Sequence, residues 1–257
     1  MKILVVGAGK MGTWLIESLC LDHEVAAFDT DLNRLKYLFN TIKLVTHEEI
    51  TAFDPDMVIN AVSLERTIPV YHEIIPLLSD NCLLADITSV KNGLRNFYLK
   101  QGRRFVSTHP MFGPTFANIK SLAGQNAIII SESDEEGKRF FHNFFKGFSL
   151  NIFEYTFTEH DQTIAYSLSI PFASSMVFAA CMKKQEAPGT TFKKHYEIAR
   201  GVLSEDDYLL AEILFSPSTH DQIERIGERL NFLMEIINEK SFVKMKQFLD
   251  GLRENIK

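Results

Sequence analysis

Short, wholly apolar runs alternate with stretches of helical period along the first part of this chain. Ile3-Leu4-Val5-Val6 is the first such run, and it ends at Gly7. A run without a polar face predicts a strand covered on both sides. Trp14, Leu15, Ser18 and Leu19 then recur at helical spacing and predict a helix over residues 11–21. Further strands are predicted over 24–28, 57–60, 82–85, 104–107, 127–131 and 150–153, and helices over 31–39, from 61 to 78, and over 134–148. Such alternation predicts an α/β fold, a Rossmann-type doubly wound parallel sheet. Phe140, Phe141, Phe144, Phe145 and Phe148 share helical spacing and are expected in its core.

Past Tyr155 the strand pattern stops. Helices are predicted over 158–183, 191–202, 205–214, 221–238 and 241–254, with Pro188-Gly189 and Ser216-Pro217-Ser218 as breaks. The chain therefore divides into a nucleotide-binding domain, 1–155, and an all-helical domain, 156–257. The segment 164–182 is apolar nearly all round, with Ile164, Leu168, Ile170, Phe172, Met176, Val177 and Phe178. Such a helix needs cover on more than one side, and a small bundle has little interior. A homodimer built by the helical domain is expected.

Composition narrows the partners. A net charge of -6 argues against nucleic acid, while a small anion needs only a local cationic cluster. Cys20, Cys82 and Cys181 are few and far apart, as expected of buried thiols in a reducing cytoplasm, and they suggest neither disulfides nor a metal site. Met1-Lys2 leads straight into a strand, so no signal peptide is expected, and no run suggests a membrane span.

The motif Gly7-Ala8-Gly9-Lys10-Met11-Gly12 follows the first strand and opens the first helix. In that context G-x-G-x-x-G is a dinucleotide finger: one glycine for the turn, one for approach of the pyrophosphate, one for helix packing. Lys10 and Met11 lie at the helix N-terminus, which faces the phosphates. Asp29 ends the second strand about 20 residues on, where an acid accepts the ribose hydroxyls of NAD. The alternative is that Asp29 caps the next helix, the role expected of Asp31. No arginine immediately follows to welcome a 2′-phosphate, so NAD is expected over NADP. Val62 and Ser63, beyond the strand at 57–60, complete the expected cofactor contacts.

Two more segments arrive at the carboxyl ends of predicted strands, where open sheets bind ligands. They are Asp86-Ile87-Thr88-Ser89-Val90-Lys91-Asn92-Gly93 and Thr108-His109-Pro110-Met111-Phe112-Gly113-Pro114. On residue type alone, His109 is either a general base or a packed imidazole. Ser89 either orients a substrate or caps a helix, and Lys91 either meets an anion or is solvated. His23, His47, His72, His142, His195 and His220 have no motif around them and read as surface or packing residues.

These two segments behind a dinucleotide finger resemble the prephenate/arogenate dehydrogenase family of tyrosine biosynthesis. A third segment, Glu159-His160-Asp161-Gln162, strengthens the resemblance, which spans roughly residues 1–165. It implies NAD-dependent oxidative decarboxylation of prephenate, a cyclohexadienol, to 4-hydroxyphenylpyruvate. It assigns His109 as the base and Ser89 as its hydrogen-bonding partner, with Lys91 beside the site. His160 and Asp161 are either orienting groups of the site or a helix-end structural pair. Prephenate is a dianion, and family members clamp it with an arginine of the helical domain. Arg200 lies in about that place, with Lys193 and Lys194 as competitors. Some relatives carry a further histidine where this chain reads Ser167-Leu168-Ser169-Ile170-Pro171-Phe172, so the choice between prephenate and arogenate stays open. A fused chorismate mutase or regulatory domain is not expected. Other readings are a hydroxyacid or imine reductase with the same plan, or a non-catalytic NAD sensor.

Overall fold

The computed structural model describes residues 1–112 and 122–257, with the backbone alone at 217 and 218. Gly113 and Pro114 of the histidine segment lie outside the described residues. The strands are β1 (Lys2–Val6), β2 (Glu24–Phe28), β3 (Ile42–Leu44), β4 (Met57–Asn60), β5 (Leu83–Asp86), β6 (Phe105–Pro110), β7 (Asn126–Ile130) and β8 (Asn151–Tyr155). They form one sheet in the order β3-β2-β1-β4-β5-β6-β7-β8. The chain winds outward from β1 to β3 and then restarts at β4 on the other side of β1. That reversal makes the crevice at the carboxyl ends of β1 and β4 the natural ligand site of a doubly wound sheet. The pairings from β1 to β6 are parallel, but β7 runs antiparallel to β6, and β8 follows β7. The last two strands thus depart from the all-parallel expectation.

Alternate residues of the central strands enter different cores. Ile3, Val5, Met57, Ile59 and Leu83 face one, while Leu4, Val6, Val58 and Leu84 face the other. Both faces being covered is why these runs contain no polar residue. On the first face, helix Glu135–Gly147 buries Phe141 and Phe145, and Phe140, Phe144 and Phe148 pack beside them. Trp14 completes this core, with its ring 5.3 Å from those of Phe112 and Phe148. The phenylalanine cluster is packing, as its spacing predicts.

Three local features differ from expectation. β3 and the helix His47–Phe53 have no apolar run to reveal them, because two of the three β3 residues are exposed. The helix nevertheless has a legible start: Thr46 accepts from the Glu49 N–H, and the Glu49 carboxylate accepts from the Thr46 N–H. That capping box satisfies two otherwise unpaired donors. The helix expected over 31–39 is a single turn, Leu32–Leu35, capped by Asp31.

By packing, the chain forms two compact units, Met1–Thr163 with Glu205–Leu209, and Ile164–Ser204 with Leu210–Lys257. The helix Phe157–Ile164 starts beside the sheet because Phe157 is buried in the second core. The first unit therefore extends past the change of period at residue 155. Beyond it the expected long helix is broken into a π-helical turn, Ala165–Ser169, and an α-helix, Ile170–Cys181. Pro171 explains the break: it has no N–H, and its ring collides with the carbonyl four residues earlier. The stretch Phe157–Cys181 is long and apolar enough to cross a bilayer by length and composition. This corrects the expectation that no run suggests a span, although a helix packed on protein has the same two properties. The cysteine expectation also needs correction: Cys82 is buried, Cys20 only partly so, and Cys181 is exposed.

Candidate active site

The dinucleotide finger has the shape its motif requires. Gly7 has φ +96, and a Cβ there would lie 2.9 Å from the Ala61 backbone. A Cβ on Gly12 would lie 1.8 Å from the Gly7 carbonyl oxygen, so only glycine lets the helix pack on the turn. A Cβ on Gly9 would meet no atom of the described residues within 4 Å, which leaves space for a ligand. Helix Lys10–Leu19 begins at Gly9 with no side-chain cap and no acid in its first turn. Its leading N–H groups and dipole are thus suited to an anion.

Asp29 binds the finger from below. Its Oδ2 accepts from the Ala8 N–H at 2.7 Å and its Oδ1 from the Asp31 N–H at 2.8 Å. Arg34 lies 3.6 Å from Asp29 Oδ2. The sequence reading found no arginine directly after Asp29; the helical turn at 32–35 brings one back to it. Asp29, Arg34, Val62, Ser63 and Arg66 line a cavity of about 440 Å³ together with Gly7 and Gly9. Val62 and Ser63 thus stand where the cofactor contacts were expected. Another cavity, of about 390 Å³, lies at the opposite ends of the strands beside Met1, Asp56 and Arg104, away from every candidate residue.

Beyond β5 the backbone is organised around one buried carboxylate. Asp86 Oδ1 accepts from Lys91 Nζ at 2.6 Å and from the Thr88 hydroxyl at 2.7 Å, and Oδ2 accepts from the Tyr98 hydroxyl at 2.7 Å. Burial pushes the Asp86 carboxyl up, but Lys91, Thr88 and Tyr98 outweigh it and hold it below the ordinary range. Burial pulls the Lys91 ammonium down, against the attraction of Asp86. Lys91 also donates to the Thr108 carbonyl at 2.7 Å and to the Thr88 hydroxyl at 3.2 Å. Its three protons are therefore all committed, and its side chain is fully buried. The expected role of Lys91 beside the substrate is corrected: it braces the strand end that carries His109.

His109 sits in β6 directly before Pro110, which keeps its backbone extended. The imidazole is buried, and its Nδ1 lies 3.1 Å from His160 Nε2. His160 comes from helix Phe157–Ile164, whose first turn is fixed by Thr156 and Glu159. The Glu159 N–H donates to the Thr156 hydroxyl, and the Glu159 carboxylate accepts from the Thr156 N–H. Glu159 of the Glu-His-Asp segment is thus a capping residue, while the next position aims inward. His160 Nδ1 lies 3.1 Å from Asp161 Oδ1. Burial, then the neighbouring His160 and Lys91, pull His109 well below the ordinary histidine value. Burial does the same to His160, against the opposing pull of Asp161. A neutral, buried imidazole at a strand's carboxyl end is able to accept a proton.

Other expected members fall elsewhere. The partner that the structure gives His109 is His160, and Ser89 makes no hydrogen bond among the described residues. Nor does Ser89 cap a helix, since the next one, Leu94–Gln101, starts at Gly93. Ser89 is half-buried in the loop between them. Arg200 belongs to helix Thr190–Val202 in the second unit, where it is exposed and paired with Glu197. Among the described residues, one group brings possible metal ligands together: His220, Asp221 and Glu224, all exposed on one helix.

Residues 25–145 match the nucleotide-binding domain of prephenate dehydrogenase. That stretch is a little under half of the chain, and the likeness is to a domain of the prephenate/arogenate dehydrogenases. A probable arogenate/prephenate dehydrogenase of Methanocaldococcus jannaschii is 26% identical over 208 residues, which cover 74% of this chain and 46% of that protein. The chain spans about half the length of such curated relatives. A crystal structure of prephenate dehydrogenase from Aquifex aeolicus, with hydroxyphenyl propionate and NAD+, superposes with a TM-score of 0.81 at 19% identity, covering 100% of this chain and 98% of that one. Synechocystis arogenate dehydrogenase superposes with a TM-score of 0.76 at 16% identity over 100% of both chains. These likenesses establish the fold.

In this chain the residues that the sequence did not single out are mainly supports. Asp86 was visible only as the first residue of a segment after an apolar run, Tyr71 only as an aromatic position of a predicted helix, and Tyr98 fell in a stretch with no predicted element. Removing one partner of a buried, hydrogen-bonded ion pair costs about 3–5 kcal/mol. Lys91→Met should therefore destabilise the protein by about that amount in urea unfolding. A loss under about 1 kcal/mol would instead fit a solvated surface pair.

Proposed function

We propose that this chain is an NAD-dependent prephenate dehydrogenase that converts prephenate to 4-hydroxyphenylpyruvate in tyrosine biosynthesis. The observation that carries the reading is His109, a buried neutral imidazole on the rim of a nucleotide-binding sheet. The finger fits a dinucleotide: Gly9 leaves room for the pyrophosphate, and Asp29 faces the adjoining cavity. When bound, NAD accepts hydride from the ring carbon bearing the hydroxyl. His109 takes the hydroxyl proton, the ring carboxylate leaves as carbon dioxide, and the ring becomes aromatic. Ser89, with no partner among the described residues, is left to orient the substrate hydroxyl. His160 acts on the substrate through His109. NADH formation with prephenate tests the reading directly, and the same assay with arogenate decides between the two substrates. His109→Asn should keep NAD binding and lose about 10²–10⁴ in kcat, since an amide cannot take the proton. A kcat within a few-fold of wild type would remove His109 from the role.

The preference for NAD rests on the Asp29 carboxylate, which repels a 2′-phosphate. NAD should be turned over in clear preference to NADP. Asp29→Asn should narrow that preference, because Arg34 is then left to meet the extra phosphate. Equal use of both cofactors by the wild type would show that Asp29 does not govern the choice.

The substrate's side-chain carboxylate needs a cation, and Arg200 is our candidate, in keeping with the planar fork of a guanidinium. Hydrogen bonds to charged groups are worth about 1.5–3 kcal/mol. Arg200→Ala should accordingly raise the KM for prephenate about 10–100-fold and leave that for NAD nearly unchanged. An unchanged KM would leave Arg200 as a partner of Glu197 alone and turn attention to Lys193 and Lys194.

The active form is a homodimer built by the helical unit and working in the cytoplasm. That unit leaves Val177, Phe215, Leu230, Met234 and Phe242 exposed, an excess of apolar surface for so small a bundle. Sedimentation at micromolar concentration should show a dimer, and a monomer there would defeat this assignment.

A further inference from the structure

We propose that His160 and Asp161 act as a positioning pair that sets the tautomer of His109 and holds its charge during turnover. The proposal rests on the reading of His109 as the base and deepens it. The three side chains form a line. Asp161 Oδ1 lies 3.1 Å from His160 Nδ1, and His160 Nε2 lies 3.1 Å from His109 Nδ1. Both imidazoles are buried, whereas the Asp161 side chain is 45% exposed.

The direction of each hydrogen bond follows from chemistry. An ionised carboxylate only accepts, so His160 must carry its proton on Nδ1. Burial keeps His160 neutral, and its Nε2 is then a bare lone pair. His109 Nδ1 must donate to that lone pair, because two acceptors cannot bond. The proton of neutral His109 is thereby fixed on Nδ1, and its Nε2 holds the lone pair. Among the described residues Nε2 has no partner, so it is the nitrogen left for the substrate hydroxyl. When Nε2 takes the proton, the imidazolium still donates Nδ1–H to His160, now as a charge-assisted bond.

The charged groups facing the pair among the described residues are Lys91, Asp86 and Asp161. Lys91 opposes positive charge on either ring, and Asp86 is already consumed by Lys91. Asp161 is thus the anion that bonds to the pair itself. Without it, His160 is free to carry its proton on Nε2 and donate to His109 Nδ1. His109 then holds its proton on Nε2, where it blocks the base.

The test uses the full-length protein with NAD bound. In protein with isotope-labelled histidine, long-range proton–nitrogen spectra at neutral pH should show His109 with a protonated Nδ1 and a bare Nε2. The signal is assigned by its loss in His109→Asn. In Asp161→Ala the Nε2–H form should become populated. In the same variant kcat for prephenate should fall about 10–100-fold, the size of loss known for carboxylates that orient metal-bound imidazoles. KM for prephenate and the Kd for NAD should stay within about twofold, so that kcat and kcat/KM fall together. The acid limb of the pH profile should move to lower pH, because loss of the anion makes the imidazolium easier to deprotonate. Asp161→Glu, which restores a carboxylate, should recover part of the rate. A wild-type His109 protonated on Nε2 would overturn the proposal, as would an Asp161→Ala enzyme with unchanged tautomer and kcat. The spectra do not depend on turnover. Failure of the wild type to oxidise prephenate would therefore count against the proposed function while the tautomer result still judged the pair.

Discussion

The buried ion pair between Asp86 and Lys91 is the constraint on which the rim that carries His109 depends. A carboxylate removed from water is costly unless it is paired and fully hydrogen-bonded. Asp86 meets that condition by drawing in Thr88, Lys91 and Tyr98. Each comes from a different piece of chain: the turn after β5, the loop beyond it and helix Leu94–Gln101. Lys91 then reaches across to the Thr108 carbonyl, one residue before His109. The Thr108 hydroxyl in turn donates to the Asp86 carbonyl at 3.0 Å. The network extends outward through Tyr71, whose hydroxyl donates to the Ala85 carbonyl at 2.7 Å. One carboxylate thus ties the ends of β5 and β6 together and fixes where the imidazole stands.

The same network shapes the electrostatics of His109. Burial is the main force on the protonation of His109, and His160 and then Lys91 add to it in the same direction. A proton acceptor has to be neutral before the reaction and tolerable as a cation during it. Burial secures the first condition, and His160 is the group that the fold places against the ring. At the other end of the crevice Asp29 also does two things. It ties the finger at Ala8 to the end of β2 and places a negative charge beside the cofactor cavity.

Much of this was legible along the chain. The strands β1, β4 and β5 show as apolar runs because both of their faces are buried, and the finger shows because its glycines meet steric demands that no other residue satisfies. His109 stood out as a histidine at the end of a strand. β3 was not legible, since an edge strand with exposed residues carries no apolar signature. Nor was the reversal of β7, because strand direction depends on how the chain returns and not on residue pattern.

The sequence by itself determined the α/β plan, the dinucleotide finger, the acid at the end of β2 and the histidine on the rim. These depend on local steric rules and on periodicity, which neighbouring residues fully express. Tertiary structure alone decided which groups are partners. His109 and His160 are 51 positions apart, and Lys91 and Thr108 are 17 apart. It turned Lys91 from a candidate substrate ligand into a buried brace, gave His109 an imidazole instead of a serine for a neighbour, and brought Arg34 beside Asp29. A side chain's role in such pairs depends on distance and burial, and neither is encoded in spacing along the chain.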